Sequence, residues 1–446
     1  MLISKFVNFL SKDKIDTVIW HSLYGRVMQI PDDLAAFLKR RCKFSLNEFV
    51  DIFDKETLDF LMDNHIIIKS EKDDNDCLEK LFNIHNPQNR SKIKYLSLIM
   101  SEECPFRCTY CIHFANSKHY YSKEKMMSYK VAKQSIDNYL RLLIENNENE
   151  FYINLGGGEP LLNYKTISML LPYIKKCEKK YGINIKVSIN SNLSLLTRDI
   201  AKKLISYNVE IAGSLDGTKR GNDKVRLTKN LNGTYDSIVK SFKLLHDLGS
   251  PLDGFAMTVT EENLEDVDTT IVDWAESMGM KEIRIDVDVV GMVKTSTHEL
   301  VEKIMHVRKY AAQKGISIIG FWSRPAENLG LTPEKDDVGF CGGERGNSIC
   351  VAPNGEIYPC GYSNYKIGDY TDIGTIFRDN AYQQLLARRH LGKQPEKCKL
   401  CPIFGFCRGG CMITREVNGD NSKKQDSMCR FYVEMTKEII LQQIEA

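Results

Sequence analysis

The chain has 446 residues, enough for about three domains at roughly 150 residues each, and every one of them could bury a core. Its 61 basic against 59 acidic residues leave a formal net charge of +2, so bulk electrostatics gives no reason to expect nucleic acid or an acidic membrane surface as partner. No apolar stretch approaches the ~18 residues that span a bilayer, and the N-terminal MLISKFVNFLSKDK breaks its apolar residues with lysines, so neither a membrane span nor an export signal is expected.

A cytoplasmic protein is therefore expected, and its 14 cysteines are read as metal ligands rather than disulfides, because reducing compartments disfavour structural disulfides. Residues 1–85 form the first unit. DTVIWH and RVMQIP read as strands around the turn SLYG, followed by helical patterns in DDLAAFLKR, SLNEFVDIF and KETLDFLMDN and a closing strand HIIIKS. This is the element order of a winged helix. DNA binding is the reflex reading of such a unit, but no face gathers lysine and arginine with base-reading side chains. The polar stretch EKDDND, with NIHNPQNRSK after it, is the expected linker.

Residues 92–325 alternate strand and helix: YLSLIMS, FYINL, INIKVSIN, VEIAGSLDG, GFAMTVT and EIRIDVDVV are separated by helical patterns such as SYKVAKQSIDNYLRLLIE. Regular alternation predicts a parallel sheet with helices outside, and six units predict an incomplete barrel, a partial (β/α)6 TIM barrel within an α/β fold. Strand parity sharpens the picture. Ile283, Ile285, Val287 and Val289 share one face of the last strand while Arg284, Asp286 and Asp288 share the other, and Ile185, Val187 and Ile189 are likewise split from Lys186, Ser188 and Asn190. The apolar face must meet the helices, so the polar face lines a lumen that is wet or filled by substrate.

At the C-terminal ends of these strands the chemistry collects, as barrels of this kind require. CPFRCTYC places Cys104, Cys108 and Cys111 after the first strand; three thiolates leave one iron of a four-iron cluster without a protein ligand, an opening for chemistry rather than electron transfer alone. This spacing, Tyr110 before the last cysteine, and GGGEP at Gly156 to Pro160 resemble the radical S-adenosylmethionine (SAM) enzymes. The resemblance implies that SAM chelates the open iron and is cleaved to methionine and a 5′-deoxyadenosyl radical that takes hydrogen from substrate. It also implies that Tyr110 belongs to the SAM site and that Gly157, Gly158 and Glu159 contact the methionyl amino group, with Asn192, Ser214, Asp216 and Arg226 as candidates for the ribose and carboxylate. Glycines permit close backbone approach, and a carboxylate suits an ammonium.

Residues 335–446 are cysteine-rich. SICVAPNGEIYPC reads as a hairpin with Asn354 and Gly355 in its turn, and the order C-x13-G-x4-C, C-x2-C-x5-C-x3-C, C resembles the SPASM extension, which carries two auxiliary four-iron clusters. By that resemblance Cys398, Cys401, Cys407 and Cys429 hold the outer cluster. Cys341, Cys360 and Cys411 hold the inner one, with Cys350 as a further candidate ligand. If Cys350 is instead a buried strand cysteine, the inner cluster keeps an open iron for a substrate thiolate. Zinc ribbons built on C-x2-C pairs are the rival reading. Cys42, Cys77 and Cys177 are expected to be structural.

The three units in this order resemble maturases of ribosomally made peptides, in which the N-terminal unit captures a leader peptide as an added strand. The implied activity is an intramolecular cross-link in a precursor peptide, a thioether ahead of a carbon–carbon bond, with SAM and three 4Fe-4S clusters as cofactors and flavodoxin or ferredoxin as external electron donor. Two alternatives stay open: a sulfatase-type maturase forming formylglycine, for which Asp286 or Asp288 could be the base, and a non-catalytic iron–sulfur electron carrier. Arg284, Asp286 and Asp288, and Trp322 and Arg324 of FWSR, are candidate substrate contacts.

Overall fold

The computed structural model describes residues 1–12, 15–84, 94–115, 124–288, 295–331, 339–376, 395–419 and 422–445. The N-terminal unit opens with β1 (Leu2–Ile3) and β2 (Val7–Lys12), then β3 (Ile15–His21) and β4 (Gly25–Ile30), α1 (Asp32–Lys39), α2 (Leu46–Val50), α3 (Lys55–Asp63), β5 (Ile67–Ile68) and α4 (Glu71–Ile84). The strands and helices expected around SLYG are all present. Two departures have clear causes. The lysine-broken N-terminus forms β1, which pairs with β5, and β2, which joins β3 and β4 in an antiparallel sheet of order β2-β3-β4. Its alternation of Val7 and Phe9 with Asn8 suits a half-covered strand. EKDDND is the first turn of α4 rather than a linker: buried Asp74 accepts the Ser4 hydroxyl at 2.6 Å and the Lys5 N–H at 2.9 Å, and Cys77 and Leu78 pack behind it. Most of NIHNPQNRSK lies outside the described residues.

The large sheet contains β6 (Tyr95–Ser101), β7 (Glu150–Gly157), β8 (Asn184–Ser191), β9 (Val209–Ser214), β10 (Gly254–Val259), β11 (Glu282–Val287), β12 (Ser317–Ile319), β13 (Ser348–Val351), β14 (Glu356–Tyr358) and β15 (Gly368–Asp369). Its order is β12-β11-β10-β9-β8-β7-β6-β13-β14-β15. The expected six parallel strands are β6 to β11. The run is longer than expected at both edges, because β12 adds in parallel to β11 and β13 adds in parallel to β6. The hairpin β13–β14 thus continues the barrel wall, with Gly355 at φ +88° in the expected turn.

Helices cover the outer face for ordinary reasons. Helix Tyr129–Glu145 is capped by Ser128, whose hydroxyl accepts the Val131 N–H at 3.2 Å, and it turns Ala132, Ile136, Tyr139, Leu140 and Leu143 inward at helical spacing. On the strands, Ile185, Val187, Ile189, Ile283, Ile285 and Val287 are buried as parity predicts, while Arg284 and Asp286 are half-buried on the opposite face. Val289 lies outside the described residues. Trp322 is buried and donates its indole N–H to the Ile285 carbonyl at 2.6 Å, and Arg324 faces Glu327 one helical turn on.

The C-terminal unit docks on both others. Its last helix, Lys423–Glu445, carries Cys429 and buries Met435, Ile439 and Ile440 in the same core as Ile304 and Val307 of helix Thr297–Gln313. The loop Cys401 to Cys407 meets the N-terminal unit, where the Trp20 indole N–H donates to the Pro402 carbonyl at 2.9 Å and the Gly405 N–H to the Ser22 carbonyl at 2.8 Å. A side chain at Gly405 would stand 2.2 Å from the Leu23 carbonyl oxygen, so this approach requires glycine. Of the cysteines expected to be structural, Cys77 and Cys177 are buried, but Cys42 is exposed.

Candidate active site

The loop after β6 carries Cys104, Cys108 and Cys111 over the C-terminal end of the sheet. Two contacts with the next strand end hold it down: the Gly158 N–H donates to the Ser101 carbonyl at 2.8 Å and the Glu159 N–H to the Glu103 carbonyl at 2.8 Å. The glycines serve this packing. Gly157 has φ +128°, and a Cβ there would sit 2.2 Å from the Ser101 oxygen; one at Gly158 would sit 2.6 Å from that of Glu103. Glu159 is fully buried and its carboxylate accepts three donors, the Leu161 N–H at 2.9 Å, the Ser191 hydroxyl at 2.8 Å and the Asn192 N–H at 2.8 Å. Burial pushes its carboxyl above the usual range despite these bonds. In this arrangement Glu159 ties β7 to the end of β8.

Asn192, so held, donates from Nδ2 to the Cys104 sulfur at 3.4 Å, and the Phe106 N–H reaches the same sulfur at 3.4 Å. Behind Cys108 a second knot forms. Asp216 accepts the Tyr110 hydroxyl at 2.6 Å, Arg226 Nε at 3.0 Å and Nη2 at 3.2 Å, and the Thr258 N–H at 2.9 Å, while Arg226 Nη2 also donates to the Tyr110 oxygen at 2.6 Å. Burial opposes the Arg226 charge, but Asp216 and Tyr110 hold its pKa well above the ordinary value. Tyr110, Asp216 and Arg226 thus bind one another and anchor the cysteine loop. Ser214 ends β9 in register with Ala256 and does not line the cavity described below.

Burial raises the Cys407 thiol, with Cys401, Cys429 and Cys398 adding to the shift, and burial likewise raises Cys411, with Cys341 and Cys360 adding to it. Among the described residues no three His, Cys, Asp or Glu side chains converge tightly enough to hold a single ion. The residues fit a cluster in their chemistry: N–H donors are aimed at cysteine sulfurs, as at Cys104 and from Gln425 Nε2 to Cys429 at 3.5 Å. Burial, the largest cause in each case, pushes the free thiols up, Cys104 to about 11 and Cys108, Cys360 and Cys401 to about 12. They ionise only when a bound cation compensates.

A cavity of about 690 Å³ connects the loop after β6 with Cys341, Cys360 and Cys411; Cys398, Cys401, Cys407 and Cys429 do not line it. Tyr110 and Cys111 line it at one end of the sheet, Cys341, Cys360 and Cys411 from the C-terminal unit, and Asp286 and Asp288 from the lumen. Arg284 does not reach it; its Nε pairs with Asp286 at 2.7 Å and its guanidinium lies 4.4 Å from the centre of the Phe321 ring. Cys350 is buried on β13, borders the cavity and hydrogen-bonds Ser97. Several lining residues escaped the sequence reading: Ser97, Asn154 and Glu210 on lumen positions, and Tyr362, whose ring stands edge-on to His113 at 5.0 Å. Parity along β6, β7 and β9 was the signal for the first three. Tyr362 carried none, since only the docking of the C-terminal unit brings it beside Cys111.

An open, largely parallel sheet with a three-cysteine loop after β6 thus shares its cavity with a cysteine-rich unit. Residues 98–273 match the family model of the radical SAM superfamily and residues 341–402 that of the SPASM iron-sulfur cluster-binding domain, so the chain carries a radical SAM domain and a SPASM domain. It is similar to the radical SAM cyclopropyl synthase TigE of Paramaledivibacter caminithermalis, at 25% identity over 99% of this chain and 96% of that one. A cysteine-type anaerobic sulfatase-maturating enzyme of Clostridium novyi is 24% identical over 76% of this chain and 94% of its own. Among solved structures, Streptococcus suis SuiB bound to its precursor peptide SuiA superposes with a TM-score of 0.57 at 18% identity, covering 96% of this chain and 100% of SuiB. No helix among the described residues is long and apolar enough to cross a membrane.

Proposed function

We propose that this enzyme modifies a ribosomally made precursor peptide, installing an intramolecular cross-link within it. The observation that carries the reading is the single cavity onto which both Cys111 and the inner cysteines Cys341, Cys360 and Cys411 open. A substrate held there meets a hydrogen-abstracting centre on one wall and a second iron–sulfur site on another. SAM and the clusters supply the radical and the electron sink when bound. The protein's part is to fix the cysteine loop through Glu159, Asn192 and the Tyr110–Asp216–Arg226 knot, and to shield the lumen from water.

In this reading Cys104, Cys108 and Cys111 hold the SAM-binding 4Fe-4S cluster, and the inner and outer cysteines hold two more. The strand ends at Gly157 to Glu159 and at Asn192 are where the methionyl end of SAM belongs. Cys350, engaged with Ser97, leaves three thiols for the inner site, and the resulting open iron favours a thioether from a substrate cysteine over a carbon–carbon bond. Residues 1–85 act as a winged-helix leader-binding unit, the leader adding to an outer edge of the β2-β3-β4 sheet. Relatives that are similar along this region as well as the barrel, TigE and SuiB, support that assignment. A flavodoxin or ferredoxin of the cytoplasm would supply electrons.

Formylglycine formation is the second reading, favoured by the resemblance to sulfatase-maturating enzymes. Anaerobic coexpression with the peptide encoded by the short reading frame beside this gene separates the two. Loss of a hydrogen pair, with fragments that stay linked and no aldehyde captured by a hydrazine, is expected. A captured aldehyde supports the second reading, and an unmodified peptide overturns both.

A further inference from the structure

One in-register row crosses the lumen face of five strands. Cys350 stands opposite Ser97, Ser97 opposite Asn154, Asn154 opposite Ser188, and Ser188 opposite Glu210. Four members are linked: the Ser188 hydroxyl donates to Asn154 Oδ1 at 3.2 Å, Asn154 Nδ2 donates to the Ser97 hydroxyl at 3.0 Å, and Ser97 hydrogen-bonds Cys350. The fifth is not. Glu210 faces the same cavity with no hydrogen bond or ion pair to any described residue.

Its surroundings offer no cation. No lysine or arginine is among the described residues lining the cavity. Lys186, two positions before Ser188 on β8, is committed to Glu150 at 2.8 Å and to the Tyr152 hydroxyl at 3.2 Å. Asp286 is satisfied by Arg284 at 2.7 Å and by the Phe321 N–H at 2.7 Å. Glu210, solvent-exposed near the start of β9, is thus a cavity-lining carboxylate with no lysine or arginine paired to it among the described residues.

We infer that Glu210 determines substrate specificity by receiving a cationic side chain, a lysine ammonium or arginine guanidinium, of the bound peptide. The inference rests on the peptide reading above. The residue so gripped lies on the wall formed by β9, across the sheet from Cys350 and the inner cysteines, which sets its distance from the residue being modified.

Charge reversal tests this. A random dodecapeptide display library is panned under anaerobic conditions on iron-loaded wild-type enzyme, Glu210→Gln and Glu210→Lys, with iron content and circular dichroism checking that each variant is folded. The wild type should enrich lysine and arginine over the input pool. Glu210→Gln should lower that excess by about two- to fivefold, the loss of one solvent-exposed charge contact, and Glu210→Lys should shift the excess to aspartate and glutamate. A wild-type pool with no cationic excess, or one that neither substitution changes, overturns the inference while leaving the peptide reading intact. A wild-type enzyme that enriches no peptide at all overturns the peptide reading and the inference with it.

Discussion

Glu159 accepts the backbone N–H of Asn192 at 2.8 Å, and Asn192 in turn donates from its amide to the sulfur of Cys104 at 3.4 Å. The second strand end therefore positions the first through the third. Replacing Glu159 by Ala strands three buried donors, each costing about 1–3 kcal/mol, and frees Asn192 from Cys104. The expected result is a lower melting temperature and loss of the electron paramagnetic resonance signal of the SAM-binding cluster, with the auxiliary signals kept. Unchanged melting and an intact SAM-cluster signal would contradict the role.

Arg226 and Asp216 form a pair in which both side chains are buried, 3.0 Å apart. Removing one partner leaves a buried charge uncompensated, at a cost of about 3–5 kcal/mol. Arg226→Met and Asp216→Asn should each be severely destabilised, and the double variant much less so than the sum. Additive losses in chemical denaturation would show that the two do not act as a unit.

How much of this was legible beforehand follows from the kind of physics each feature uses. The barrel strands and the polar lumen could be read because alternation and parity are properties of the chain itself, whereas the division of the cysteines into three groups was what the family resemblance implied. The role of Glu159 could not, because its three donors come from Leu161, Ser191 and Asn192, the last two a whole strand away. EKDDND read as a linker because its partners, Ser4 and Lys5, lie some seventy positions upstream. The burial of Trp322 was hidden for the same reason, its indole bonding to Ile285.

The N-terminal unit should loosen in acid. His21 is fully buried; its Nδ1 accepts the Leu23 N–H at 3.3 Å, so the ring proton sits on Nε2, 3.3 Å from the Ser4 hydroxyl oxygen. Burial, with His65 and Arg26 nearby, lowers its pKa from 6.5 to about 3. Below pH 6.5 the unfolded chain takes up a proton that the folded one refuses, so stability present above that pH is lost as pH falls toward 3, at about 1.4 kcal/mol per pH unit. Denaturation at pH 7 and pH 5 should show this slope in the wild type and a shallower one in His21→Gln. Equal slopes would place the titration elsewhere.

The account depends most directly on Cys104, Cys108 and Cys111 holding a redox-active cluster that acts on SAM. Protein purified and loaded with iron and sulfide under anaerobic conditions, reduced with dithionite and given SAM, should form 5′-deoxyadenosine, with iron and a brown visible spectrum. Cys108→Ala should abolish the product and keep the iron of the C-terminal cysteines. A colourless zinc protein, or an iron-replete one that forms no 5′-deoxyadenosine with or without the neighbouring peptide, would contradict it.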